Sequence, residues 1–124
     1  MNILVYLCGI YSLGFAIFHL FFWRLFDWKN ELKKLSLANR AILQIANIRL
    51  IYICMLVAFL CFCFPTDLTT TTLGKTFLGG MSLFWFGRTV EQFIFLRINK
   101  TFVHVLTALF IIGAIIFALP VFLS

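Results

Sequence analysis

Apolar residues along this chain fall into four long runs separated by short polar connections. A helix needs roughly 20 mostly apolar residues to cross the hydrocarbon core of a bilayer. Residues 3–23, 41–64, 77–96 and 102–122 are long enough. None shows the repeated alternation of apolar and polar positions that marks the strands of a membrane barrel. The pattern predicts an all-α integral membrane protein. It forms one domain over residues 1–124, an antiparallel up-down bundle of four transmembrane helices. Ser36 and Asn39 are candidate caps at the start of the second span, and Pro65 with the threonines after it should end it. The first run has no positive leading segment and no small-residue cleavage site, so it reads as a retained span.

The connections predict orientation. Basic residues gather in the first (Arg24, Lys29, Lys33, Lys34, Arg40) and the third (Arg97, Lys100), whereas the second carries Lys75 and Asp67. Short cytoplasmic loops are enriched in Lys and Arg. Connections one and three are therefore expected in the cytoplasm, with both termini outside, in an inner or plasma membrane. Leu25, Trp28, Leu32 and Leu35 recur at helical spacing opposite Lys29, Lys33 and Lys34. That short basic amphipathic segment suits either an interfacial helix, with Trp28, Lys29, Lys33 and Lys34 at the membrane surface, or an extension of a neighbouring span.

Composition agrees with the pattern. The chain is 64% hydrophobic and 11% charged, against roughly 25% charged in a soluble domain. The formal charge of +6 sits in connections, not along a groove that could track phosphates, so no nucleic-acid partner is expected. Cys8, Cys54, Cys61 and Cys63 lie in apolar runs without a CxxC and read as small hydrophobes, although a disulfide from Cys8 to Cys61 or Cys63 fits their common outer position.

Several polar residues interrupt the apolar runs. They are His19, Gln44, Asn47, Arg88, Glu91, Gln92 and His104, with Arg49 joining them if its side chain turns toward the third span. Taken from the cytoplasmic end of each span, His19, Asn47, Glu91 and His104 lie on the order of 6–11 Å deep at 1.5 Å per residue. Ionisable groups in hydrocarbon are costly and usually face a bundle interior or a watery cavity. Arg88, Glu91 and Gln92 share one arc of the third span, and Arg88 with Glu91 is the expected ion pair.

This layer predicts a cytoplasm-facing intramembrane pocket for a small anionic ligand or lipid headgroup, bound or transported, with Arg88 holding the anion. The alternative is an accessory membrane subunit in which the same groups only hold the helices together. A lipid-modifying enzyme using His19, His104 and Glu91, and a haem b protein with His19 and His104 as axial ligands, are further readings. No HExxH or histidine box is present, so no metal site is expected. The bilayer is the expected partner, together with a second copy or a larger membrane protein.

Overall fold

The computed structural model describes residues 2–96 and 100–123. Arg97, counted above among the basic residues of the third connection, lies outside the described residues. The described residues are helical without a strand: α1 (Asn2–Leu20), α2 (Phe22–Leu25), α3 (Trp28–Glu31), a 3-10 turn (Leu32–Lys34), α4 (Leu37–Cys63), α5 (Pro65–Thr70), α6 (Thr72–Phe95) and α7 (Thr101–Leu123). Three helices, over Ile3–Leu20, Leu37–Cys63 and Thr101–Leu123, are long and apolar enough to cross a membrane. The fourth long helix, α6, has 24 residues but is diluted by Lys75, Arg88, Glu91 and its glycines. Large apolar side chains such as Ile10, Ile17, Leu83, Phe93 and Ile115 are exposed, an outer surface that suits lipid better than water.

Capping chemistry explains where the ends differ from expectation. The second long helix begins at Leu37, not at residue 41. Ser36 precedes it, and Ser36 Oγ accepts from the Asn39 N–H at 3.3 Å, satisfying an otherwise orphaned amide of the first turn. The third begins at Thr72, and Thr71 Oγ1 accepts from the Gly74 N–H at 2.9 Å. The connection before it is itself helical over Pro65–Thr70, with Pro65 at its start, where a missing N–H costs nothing. α1 stops at Leu20, short of residue 23, and a turn at Phe21 leads into α2.

The segment after α2 is neither one interfacial helix nor a continuation of a span. Asp27 adopts a left-handed conformation (φ 50°), which is costly for a non-glycine residue and breaks the helix there. The following turns are amphipathic all the same: Trp28 and Leu32 are buried while Lys29, Lys33 and Lys34 are exposed.

The chain divides into two compact units. One comprises Met1–Cys8 with Cys61–Ser124. Within it α6 and α7 run antiparallel: Ser82 Oγ donates to Ala114 O (2.7 Å), Trp85 stacks on Phe110 (centroids 5.8 Å apart), and Gln92 Nε2 donates to Val103 O (3.3 Å). The partners on α7 step back toward its start as α6 advances. At the beginning of α6, a Cβ on Gly74 would collide with Asp67 O and Leu68 Cα, so α5 folds back onto α6 only because that position lacks a side chain. The start of α1 belongs to the same unit, where Cys8 Sγ donates to Ile116 O at 3.3 Å. All four cysteines are free thiols, so the disulfide entertained above is not formed.

The other unit is Gly9–Leu60. It contains most of α1, the broken amphipathic segment and most of α4. Trp28 packs edge-on against Phe22 (5.8 Å) and Trp23 (5.3 Å), so the apolar side of that segment rests on the protein and its lysines point away. Glu31 is paired with Lys34 at 3.5 Å, and Asp27 accepts from Asn30 Nδ2, which leaves Lys29 and Lys33 as the outward positive charge.

Candidate functional site

The polar residues singled out above divide between the two units, and each set has its own chemistry. In the unit Gly9–Leu60, Asn47 is buried, and its Nδ2 donates to His19 O at 2.9 Å. That carbonyl sits in the last turn of α1, where helix carbonyls lose their intrahelical partners. An amide on α4 therefore satisfies the end of α1. One turn earlier on α4, Gln44 Oε1 accepts from Trp23 Nε1 at 3.1 Å, while Gln44 Nε2 donates to Arg40 O at 3.2 Å. His19 Nδ1 lies 2.7 Å from Phe15 O. A carbonyl only accepts, so Nδ1 carries the proton in that contact. The His19 ring stacks on Phe22 with centroids 4.4 Å apart.

Arg49 is exposed, and its guanidinium lies 5.7 Å from the Tyr52 ring centroid on its own helix. Among the described residues of its own unit, no carboxylate lies within 4.0 Å of it.

In the other unit the decisive residue is Arg88. The expected ion pair with Glu91 is not formed: among the described residues no carboxylate lies within 4.0 Å of Arg88. Arg88 is partly buried, and its guanidinium carbon lies 4.6 Å from the centroid of the Phe110 ring on α7. Glu91 is exposed. Spacing of three residues made the pair plausible, but the long arginine stem reaches across to the aromatic face of the neighbouring helix, and Glu91 points outward from α6. No hydrogen-bond acceptor serves the Arg88 guanidinium among the described residues.

Gln92, one turn further along α6, is almost wholly buried at 1% exposure. Its Nε2 shares Val103 O with Thr107 Oγ1, which donates at 2.9 Å. Its Oε1 has no hydrogen-bond partner among the described residues, a property it shares with Asn47 Oδ1 and Ser12 Oγ. Buried polar atoms are seldom left so, because each costs about 1–3 kcal/mol without a partner. His104 is exposed.

Sequence reasoning missed Ser82 and Phe110. Both matter only through the register of α6 against α7, which residue spacing within one helix does not carry. Trp23, which stands out in the sequence only as an aromatic residue at the end of the first run, is a hydrogen-bond donor to Gln44. Among the described residues no three His, Cys, Asp or Glu side chains gather to hold a metal ion. No protein family, curated protein or solved structure matches this chain.

Proposed function

We propose that the chain is a multi-pass protein of an inner or plasma membrane that binds a small anion, foremost a phosphate-bearing lipid headgroup, at Arg88. In this reading α1, α4, α6 and α7 all span the bilayer, connections one and three face the cytoplasm, and both termini lie outside. The basic connections support that orientation.

The observation that carries the anion is the unpaired guanidinium of Arg88 on Phe110. Insertion of an arginine at the centre of a membrane helix costs on the order of 3 kcal/mol. A cation–π contact returns about 0.5–2 kcal/mol. The ring therefore offsets part of that cost and satisfies none of the N–H donors. A phosphate matches the planar fork of the guanidinium, accepting two parallel hydrogen bonds and cancelling the charge. Arg88 lies seven residues before the end of α6 at Phe95, roughly 10 Å at 1.5 Å per residue. That depth is within reach of a headgroup drawn slightly below the inner surface.

The remaining polar residues have a more modest role in this account. Asn47 and Ser82 each spend a side-chain donor on a carbonyl of another helix, and Gln44 accepts from Trp23. These contacts favour a second reading, in which the polar layer joins helices and the chain is an accessory subunit. Such bonds contribute about 0.6–2 kcal/mol in a membrane. That reading accounts for the amides and the serine but leaves Arg88 unexplained.

The test is a thermal-shift comparison of purified protein in detergent supplemented with phosphatidylglycerol or with phosphatidylcholine. Wild-type protein and Arg88→Lys should be stabilised selectively by the anionic lipid, the lysine variant less, and Arg88→Gln not at all. Equal stabilisation of wild type and Arg88→Gln would leave the accessory-subunit reading in place.

A further inference from the structure

We infer that the anion held by Arg88 carries its own hydrogen-bond donor, a hydroxyl or ammonium about one helical turn from the phosphate, and that Gln92 Oε1 accepts it. The inference rests on the anion reading above and narrows it to a chemical class: a phosphate ester whose alcohol bears a further polar hydrogen, such as a glycerol or ethanolamine phosphate.

Three observations converge on Gln92. Its side chain is 1% exposed, and its Oε1 lacks a donor among the described residues. The orientation of the amide is set, because Nε2 must be the atom that faces Val103 O: two oxygens would repel there. Finally, Gln92 follows Arg88 by four residues on one helix, so the two side chains share a face with Cβ atoms about 5–6 Å apart. The guanidinium extends to Phe110 and the amide to Val103 on α7, so a ligand that touches both carries its donor on the Val103 side of its phosphate. Arg88 supplies donors without an acceptor, and Gln92 an acceptor without a donor. A bare phosphate answers only the first.

Gln92 also lies nearer than Arg88 to the end of α6 at Phe95. A ligand entering from that end meets the amide with its polar tail while its phosphate reaches the guanidinium.

The experiment uses the full chain and two pairs of probes. Phosphatidylglycerol and phosphatidylmethanol are both singly charged phosphodiesters, and only the first has hydroxyl donors. Glycerol phosphate and methyl phosphate form the corresponding soluble pair. Wild-type protein should bind the glycerol member about five- to tenfold tighter than the methyl member, the ratio expected of one hydrogen bond to a buried acceptor. Gln92→Leu and Gln92→Met should bind both members at the methyl level. Preference in the lipid pair assigns a headgroup, and preference in the soluble pair assigns a free ester; either supports the inference. Equal binding of the two members by wild type overturns it, as does a preference that survives in a folded Gln92 variant. Failure of wild type to bind any of the four more tightly than Arg88→Gln removes the anion reading itself, a different result from binding without preference.

Discussion

Arg88 and Phe110 meet across the α6–α7 pair, with the guanidinium carbon 4.6 Å from the ring centroid and no carboxylate within 4.0 Å of it among the described residues. The aromatic face orients the arginine without neutralising it. Phe110→Leu should weaken anion binding about two- to thirtyfold, the loss of a contact of about 0.5–2 kcal/mol, whereas Phe110→Trp should hold or strengthen it. Titration of phosphatidylglycerol into the purified variants checks this. A Phe110→Leu protein with wild-type affinity would mean that the ring only packs.

Asn47 and His19 form the corresponding junction in the other unit, and there the expected effect is on stability. Asn47→Ala removes the bond from α4 to the His19 carbonyl and opens a small void. The cost should be about 1–3 kcal/mol, read by unfolding in a mixed-micelle denaturant titration. Anion binding should be unchanged, since the junction does not involve Arg88.

Glycine positions on α6 separate cleanly. Gly74→Ala should destabilise strongly or prevent folding, because the new methyl group meets the backbone of Asp67 and Leu68. Gly80→Ala and Gly87→Ala meet nothing within 4 Å, and each should be neutral or stabilising by up to about 1 kcal/mol through helix propensity. Helical circular dichroism and melting of the three variants test the contrast. Equivalent behaviour of all three would contradict the close approach of α5 to α6.

Cysteine exposure tests topology. Cys8, Cys54 and Cys61 are buried, and Cys63 is exposed near the end of α4. A membrane-impermeant thiol reagent should modify Cys63 in intact cells, from the side where the second connection is placed, and spare the other three. Modification of Cys63 only after permeabilisation would reverse the proposed orientation.

Much of the architecture could be read from hydropathy alone. α1, α4 and α7 are long, apolar runs with few charges, long enough to cross a membrane, and a backbone placed in lipid must be helical whatever its side chains. Ends were less legible, because they depend on single caps: Ser36 starts α4 early, and Thr71 starts α6 early. The amphipathic segment was visible in the alternation of Trp28 and Leu32 with the lysines, but its break at Asp27 is a backbone conformation that residue type alone did not announce. At the candidate site, local spacing pointed to Arg88, Gln92 and Asn47 as costly residues. It misassigned the partner of Arg88, since Glu91 is close in sequence and Phe110 is close only once α6 and α7 are in register.

The most direct test is native mass spectrometry of the protein extracted gently from its membrane. Wild-type protein should retain a phosphate-bearing lipid that survives mild activation, and Arg88→Gln, equally folded, should lose it. A wild-type protein that carries no such lipid and takes none up when phosphatidylglycerol is added, or an Arg88→Gln protein that retains it equally, would contradict the assignment of Arg88 as an anion holder.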